Sequence, residues 1–224
     1  MGSSRAHRGI VAKFVMGSGI GALVFDYRLA PEHPFPAALD DSVAAYRWLL
    51  SQGFSPSRIA FAGDSAGGGL CLATLLAIRD KGISLPAAAA VLSPWTDLKC
   101  NGNSYTRKDP LAPEGSWLVY SKYYAGESDP TLPLISPLYG DLAGLPPLLI
   151  SVGEDESMLD DSVQFAEKAR IAGVDVKLHV GKGMVHCYPA LSPLFPEAKE
   201  ALERICAFLS TYTGTSNNSD KCNA

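Results

Sequence analysis

The sequence predicts an α/β fold, a mostly parallel sheet with helices on both faces. Short apolar runs rich in β-formers recur at residues 22–27, 58–62, 87–93 and 147–153. Segments with helical spacing separate them. The runs are continuously apolar rather than alternating, as expected of strands covered on both faces. Sheets of this kind place their chemistry at the carboxyl ends of the strands.

Each element has a local reason. Ser3 or Ser4 can cap a first helix to about Met16, with Val11 and Val15 on one face and Gly17 and Gly19 ending it. Residues 22–27 (ALVFDY) read as a buried strand, followed by the proline-rich loop LAPEHPFP. Pro36 opens the next helix, where Leu39, Val43, Tyr46 and Leu50 form one stripe closed by Gly53. RIAFA (58–62) is the second strand. The segment after it, GGLCLATLLAIRD, is apolar nearly all round and so predicts a buried helix. AAAAVLS (87–93) is the third strand and PLLISVG (147–153) the fourth. Between them, residues 95–145 leave the sheet as an excursion with one helix around SWLVYSKYY. A helix over Asp160–Ala172 stops at Gly173, and VDVKLHV (174–180) alternates as a half-buried edge strand. A last helix carries Leu202, Ile205 and Leu209. The reading is one domain over 1–212 with a disordered polar tail over 213–224.

Composition excludes other classes. The chain has 224 residues, 47% hydrophobic and 19% charged, which fits a globular core and not a disordered or collagen-like chain. A net charge of −4 supplies no basic field for nucleic acid. No apolar run reaches the roughly 18–20 residues of a membrane helix. The N-terminus lacks the apolar stretch of a signal peptide, so a cytoplasmic protein is expected. The five cysteines show no zinc spacing and read as free thiols, with a Cys100–Cys222 bridge as the alternative.

Gly63-Asp64-Ser65-Ala66-Gly67 is a GxSxG between a buried strand and a buried helix, the setting of a nucleophile elbow. The alternative, an ordinary glycine-rich turn or phosphate cradle, lacks the Gly-Lys-Ser/Thr or GxGxxG that such cradles use. A serine hydroxyl needs a base, and the chain has four histidines. His7 lies in or before the first helix, His33 in the proline loop and His179 within a strand, where structural roles suffice. His186 follows the edge strand in a Gly-rich loop, where a base belongs. Asp155, just after PLLISVG, is the expected acid, with Asp160 and Asp161 as rivals at a helix start. The order Ser65, Asp155, His186 is that of α/β-hydrolases.

Asp26-Tyr27-Arg28-Leu29-Ala30-Pro31-Glu32-His33-Pro34-Phe35-Pro36-Ala37-Ala38, Gly63 to Gly68, SPWTDL (93–98), SPL (136–138), GLPPLLI (144–150) and GMVH (183–186) together resemble the hormone-sensitive-lipase-like (group IV) bacterial esterases of the α/β-hydrolase fold. The resemblance runs from Gly2 to Leu209. It implies a carboxylesterase acting on a small-molecule ester of short-to-medium acyl chain, without metal or organic cofactor. Ser65 is then the nucleophile, Asp155 the acid, His186 the base and the Ala66 N–H an oxyanion donor. Asp64, Trp95, Leu111 and Trp117 are assigned to the substrate pocket, with core packing as the alternative for the aromatic residues. An amidase with the same triad, or a non-catalytic hydrolase-fold protein, are the rival functions.

The resemblance also implies a His-Gly-Gly-Gly oxyanion motif ahead of Gly2-Ser3 and His7-Arg8. Family members carry, before that motif, a strand lying between those matching ALVFDY and RIAFA. The expectation is therefore an N-terminally truncated hydrolase lacking the family's first strands and N-terminal cap. Three arrangements follow. ALVFDY shifts to pair with RIAFA, a second chain buries the gap in a homodimer, or the chain is a poorly stable truncation product.

Overall fold

The computed structural model describes residues 3–106, 109 and 115–214. Among the described residues, four parallel strands form one sheet in the order β1-β2-β3-β4: β1 Ala60–Asp64, β2 Ala88–Leu92, β3 Leu148–Gly153 and β4 Val176–Gly181. The described residues also form six α-helices: α1 Ser4–Ser18, α2 Ala37–Ser51, α3 Ala66–Asp80, α4 Ser116–Ala125, α5 Leu159–Ile171 and α6 Pro196–Thr213.

Side-chain alternation along the strands splits the interior into two cores. Ala89, Val91, Leu148 and Ile150 face α2, α3 and α5, where Tyr46, Leu72, Leu75 and Phe165 pack. Ala88, Ala90, Leu92 and Leu149 face α6, against Ile205, Phe208 and Leu209. Helix α1 lies on α6, with Phe14 reaching that second core. Helix α3 is buried from Cys71 to Ile78, as its all-round apolar sequence requires. Ser3 caps α1 by accepting the Ala6 N–H at 3.2 Å, and the left-handed Gly19 closes it. As the alternation in the sequence implies, β4 is an edge strand.

Residues 22–27 correct the sequence reading. They form no strand, and Leu23, Val24 and Phe25 are exposed. An extended segment becomes a strand only where a neighbour supplies the ladder. None does here, because β1 pairs with β2 alone and the shift of ALVFDY onto RIAFA does not occur. The Ile59 carbonyl accepts from the Ala87 N–H, and the Ser65 N–H donates to the Leu92 carbonyl. Ala60 and Ala62 therefore turn their backbone groups to the open outer edge. Residues 22–27 are held by side chains at their end instead. Asp26 accepts from the Ser4 N–H at 2.6 Å and the Ser4 hydroxyl at 2.8 Å, and Arg28 grips Asp41 of α2 at 2.7 Å.

The expected tail over 213–224 lies outside the described residues except for Thr213, which ends α6, and Gly214, its left-handed cap. The packing of α3 under the loop after β2 generates a stability prediction. A Cβ on Gly69 would fall on the Trp95 carbonyl, whereas one on Gly67 meets nothing within 4 Å. Gly69→Ala is expected to cost about 1–3 kcal/mol and to lower the melting temperature by roughly 3–10 °C. Gly67→Ala, free of collision inside a helix, should leave it unchanged or raise it slightly, as thermal denaturation followed by circular dichroism will show.

Candidate active site at the carboxyl ends of the strands

Ser65 stands between β1 and α3 with φ 55° and ψ −121°, a region that L residues rarely occupy. Its surroundings hold it there. Its N–H donates to the Leu92 carbonyl at 2.8 Å, and its carbonyl accepts from Trp95 and Gly69 at 3.0 and 3.1 Å. The turn is tight because glycines let the elements close up. A Cβ on Gly63 would strike the Gly67 carbonyl, and one on Gly68 would meet Pro94 at 2.9 Å. Of the two glycines in the GxSxG, only Gly63 is sterically demanded. The other close approaches belong to Gly68 and Gly69, one turn into α3.

His186 follows β4 and reaches back across the sheet end. Its Nε2 lies 2.9 Å from the Ser65 Oγ. Its Nδ1 lies 3.0 Å from Oε1 of Glu156. A carboxylate can only accept, so Nδ1 carries the proton and Nε2 presents its lone pair to the serine. Burial opposes charge on this ring, but hydrogen bonds to Cys187 and Glu156 outweigh it and raise the imidazole pKa above its ordinary value.

The carboxylate facing the base is that of Glu156, not Asp155. Glu156 is 0% exposed, and its second oxygen accepts from the Gly153 N–H at 2.7 Å and the Ser93 hydroxyl at 2.8 Å. Asp155 is exposed, and its N–H donates to the Met184 carbonyl at 3.0 Å. The reason is the turn after β3. Backbone bonds from Glu154 to Gly181 and from Asp155 to Met184 stitch this loop to the histidine loop, and the next side chain is the one carried inward. A Cβ on Gly153 would collide with the Met184 carbonyl, so the loops pass this closely only over glycine. The acidic run Glu154-Asp155-Glu156 was visible in sequence, but strand alternation does not extend into a turn and could not choose among the three.

The rival acids serve elsewhere. Asp161 is buried and accepts the Thr96 and Asp97 N–H groups at 2.8 and 2.7 Å, and burial pushes its pKa up to about 7. Asp160 accepts the Ser104 N–H at 3.0 Å. Both pin the loop after β2 to α5. The other histidines are away from Ser65 Oγ: His33 is exposed, and His179 is half-buried on β4. His7 links α1 to the elbow, its Nε2 3.3 Å from Asp64 and its Nδ1 3.1 Å from the Ser3 carbonyl. Burial disfavours its charge, while the Ser3 carbonyl and Asp64 raise its pKa overall. Asp64 thus faces the first helix. The sequence offered no signal for this pairing, since the two residues are 57 positions apart.

The aromatic residues divide. Trp95 is 5% exposed and packs in a small core with Leu98, Ile135 and Met158. Trp117 of α4 is half-buried, its ring 5.5 Å from that of Trp95 and 5.8 Å from that of His186. Trp117 therefore borders the base, with Trp95 behind it. Leu111 lies outside the described residues. The backbone N–H of Ala66, first in α3, sits where a helix has no internal acceptor and its dipole favours negative charge. Among the described residues no group of His, Cys, Asp and Glu is arranged to hold a metal, and no helix is long and apolar enough to cross a membrane.

Comparisons with known proteins agree with this architecture. A family model described as the alpha/beta hydrolase fold matches residues 1–190. An acetyl-hydrolase of Streptomyces hygroscopicus is 44% identical over 217 residues, covering 96% of this chain and 73% of the relative. An esterase of Acinetobacter venetianus is 36% identical over 212 residues, covering 93% and 70%. The crystal structure of EstE5 soaked with p-nitrophenyl butyrate superposes with a TM-score of 0.92 at 46% identity, over 96% of this chain and 73% of that one. That of an esterase from the bacterial hormone-sensitive lipase family gives 0.93 at 47% identity, with the same coverage. The chain belongs to the α/β-hydrolase fold family, among its hormone-sensitive-lipase-like bacterial members.

Proposed function

We propose that this protein is a carboxylesterase that hydrolyses small esters of short-to-medium acyl chain through an acyl-enzyme on Ser65. The observation that carries the reading is the unbroken line of hydrogen bonds from the Ser65 Oγ through His186 to the buried Glu156. Esterase names among the relatives and structural neighbours support the ester as the reacting group.

His186 Nε2 takes the hydroxyl proton as Ser65 Oγ attacks the ester carbonyl. The tetrahedral oxyanion forms near the Ala66 N–H and the amino end of α3. The alcohol leaves with the proton returned by His186, and water repeats the cycle on the acyl-enzyme. Glu156 holds the imidazole tautomer and stabilises the imidazolium without itself taking the proton. Trp117 walls one side of the base, and the scheme needs neither metal nor organic cofactor.

The raised pKa of His186 has a defined consequence for pH. The base must be neutral to accept a proton, and a raised pKa keeps it charged to higher pH. The ascending limb of kcat/KM should therefore lie above the ordinary histidine value of about 6.5. Ser65→Ala and His186→Ala are each expected to abolish hydrolysis of p-nitrophenyl butyrate. Glu156→Gln, which leaves an uncharged acceptor or donor at Nδ1, should lower kcat by about 10²–10⁴ and move the ascending limb to lower pH. Asp155→Asn should stay within about twofold of the parent. Full activity in the Ser65 or His186 variant sinks the assignment, and a large loss in Asp155→Asn with none in Glu156→Gln would return the acid to Asp155. A parallel p-nitroanilide substrate distinguishes an amidase, and absence of turnover in the unsubstituted chain selects the non-catalytic reading.

We also propose that the chain works as a homodimer in a reducing, cytoplasmic setting. The exposed Leu23, Val24 and Phe25 and the open edge of β1 support association, and free thiols at Cys71, Cys100, Cys187 and Cys206 support the compartment. Cys222 of the alternative bridge is outside the described residues. Size-exclusion chromatography with light scattering should give twice the 23.7 kDa chain mass, and a well-behaved monomer overturns the dimer.

A further inference from the structure

Ser93 follows β2 at the centre of the sheet end. It is fully buried, at 0% exposure, and has φ 45°, in the left-handed region that favours glycine. A serine there costs backbone strain that a glycine would not, so its side chain invites explanation. Its hydroxyl is used twice. It donates to the Glu156 Oε2 at 2.8 Å and accepts the Cys187 N–H at 2.9 Å. Cys187 directly follows the base and is itself left-handed, with φ 52°.

A closed ring results. It runs from the Ser93 Oγ to the Glu156 carboxylate, on to the His186 imidazole, along the backbone to the Cys187 N–H, and back to Ser93. With Oε2 occupied by Ser93 and Gly153, the carboxylate has only Oε1 to offer His186 Nδ1. The Ser93 N–H donates to the Ser151 carbonyl at 2.7 Å, fixing the hydroxyl relative to β3. We propose that Ser93 is a positioning residue that sets the acid and the base in register through this one hydroxyl, without touching substrate. The proposal rests on the reading of Ser65, His186 and Glu156 as the hydrolytic triad.

Two variants separate the hydroxyl from the backbone turn. Ser93→Gly suits the left-handed conformation and removes the hydroxyl, and Ser93→Ala removes it while keeping Cβ. Both are expected to lower kcat for p-nitrophenyl butyrate by about 10–100-fold, the worth of a hydrogen bond to a charged group, with KM within about twofold. Both should also broaden or shift the low-field Nδ1–H resonance of His186 in the proton NMR spectrum, assigned by its loss in His186→Ala. The resonance does not depend on turnover. If the parent protein hydrolyses no ester, the functional reading fails while the NMR comparison still decides the role of Ser93. A parent-like kcat and an unchanged resonance in Ser93→Gly overturn the proposal. So does a collapse of the melting temperature in both variants, which would make Ser93 a support of the fold rather than of the site.

Discussion

A carboxylate sealed from water must be met by donors, or its desolvation goes uncompensated, and Glu156 is sealed completely. Three donors reach it, from three segments far apart in sequence. Gly153 ends β3, Ser93 follows β2, and His186 follows β4. Satisfying that one charge therefore holds the carboxyl ends of three strands in mutual register. It also turns the imidazole so that its free lone pair faces Ser65. The site is a consequence of how the sheet end disposes of a buried negative charge, and that charge joins Cys187 in raising the pKa of His186 against the opposing effect of burial.

The second constraint is steric. Ser65 protrudes because β1 and α3 approach more closely than side chains allow, with Gly63 against the Gly67 carbonyl, while Gly68 and Gly69 face the loop after β2. The loop after β2 occupies the space those glycines leave, bringing Pro94 and Trp95 onto α3 and Ser93 under Glu156. Asp161 then locks the same loop from α5 through the Thr96 and Asp97 N–H groups. Packing against α3 and hydrogen bonding from α5 thus converge on a single loop.

The strands and helices from residue 37 onward were legible because local pattern and tertiary demand agree there. The apolar runs of β2 and β3 are buried on both faces, β1 at the open edge is partly buried, and the stripe of Leu39, Val43 and Tyr46 faces the core. Ser65 and His186 were legible as the proposed nucleophile and base because a glycine-framed turn and a loop after an edge strand each restrict the choice to one residue. Glu156 was not, since Asp155 and Glu156 differ only in which way a turn carries them, and the backbone bonds to the histidine loop decide that. Residues 22–27 failed for a different reason. Their composition suits a strand, but strand formation is a property of a pair, and the neighbouring ladder is not supplied. The His7–Asp64 contact was invisible because it depends on where α1 lands.

The geometry also separates two tasks that catalysis joins. The proposed activation of Ser65 draws on residues at or just after the ends of β1, β2, β3 and β4, and not on residues 22–27. Stabilisation of the oxyanion has a single assigned donor, the Ala66 N–H at the start of α3. In a serine protease, loss of one such donor lowers the rate about 10²–10³-fold, a large penalty though smaller than the roughly 10⁴-fold loss from altering the triad acid. A nucleophile held at 2.9 Å from its base is therefore compatible with a wide range of absolute rates. In the proposed mechanism, which end of that range this chain occupies depends on the electrostatics around Ala66 as well as on the hydrogen bonds from Ser65 through His186 to Glu156.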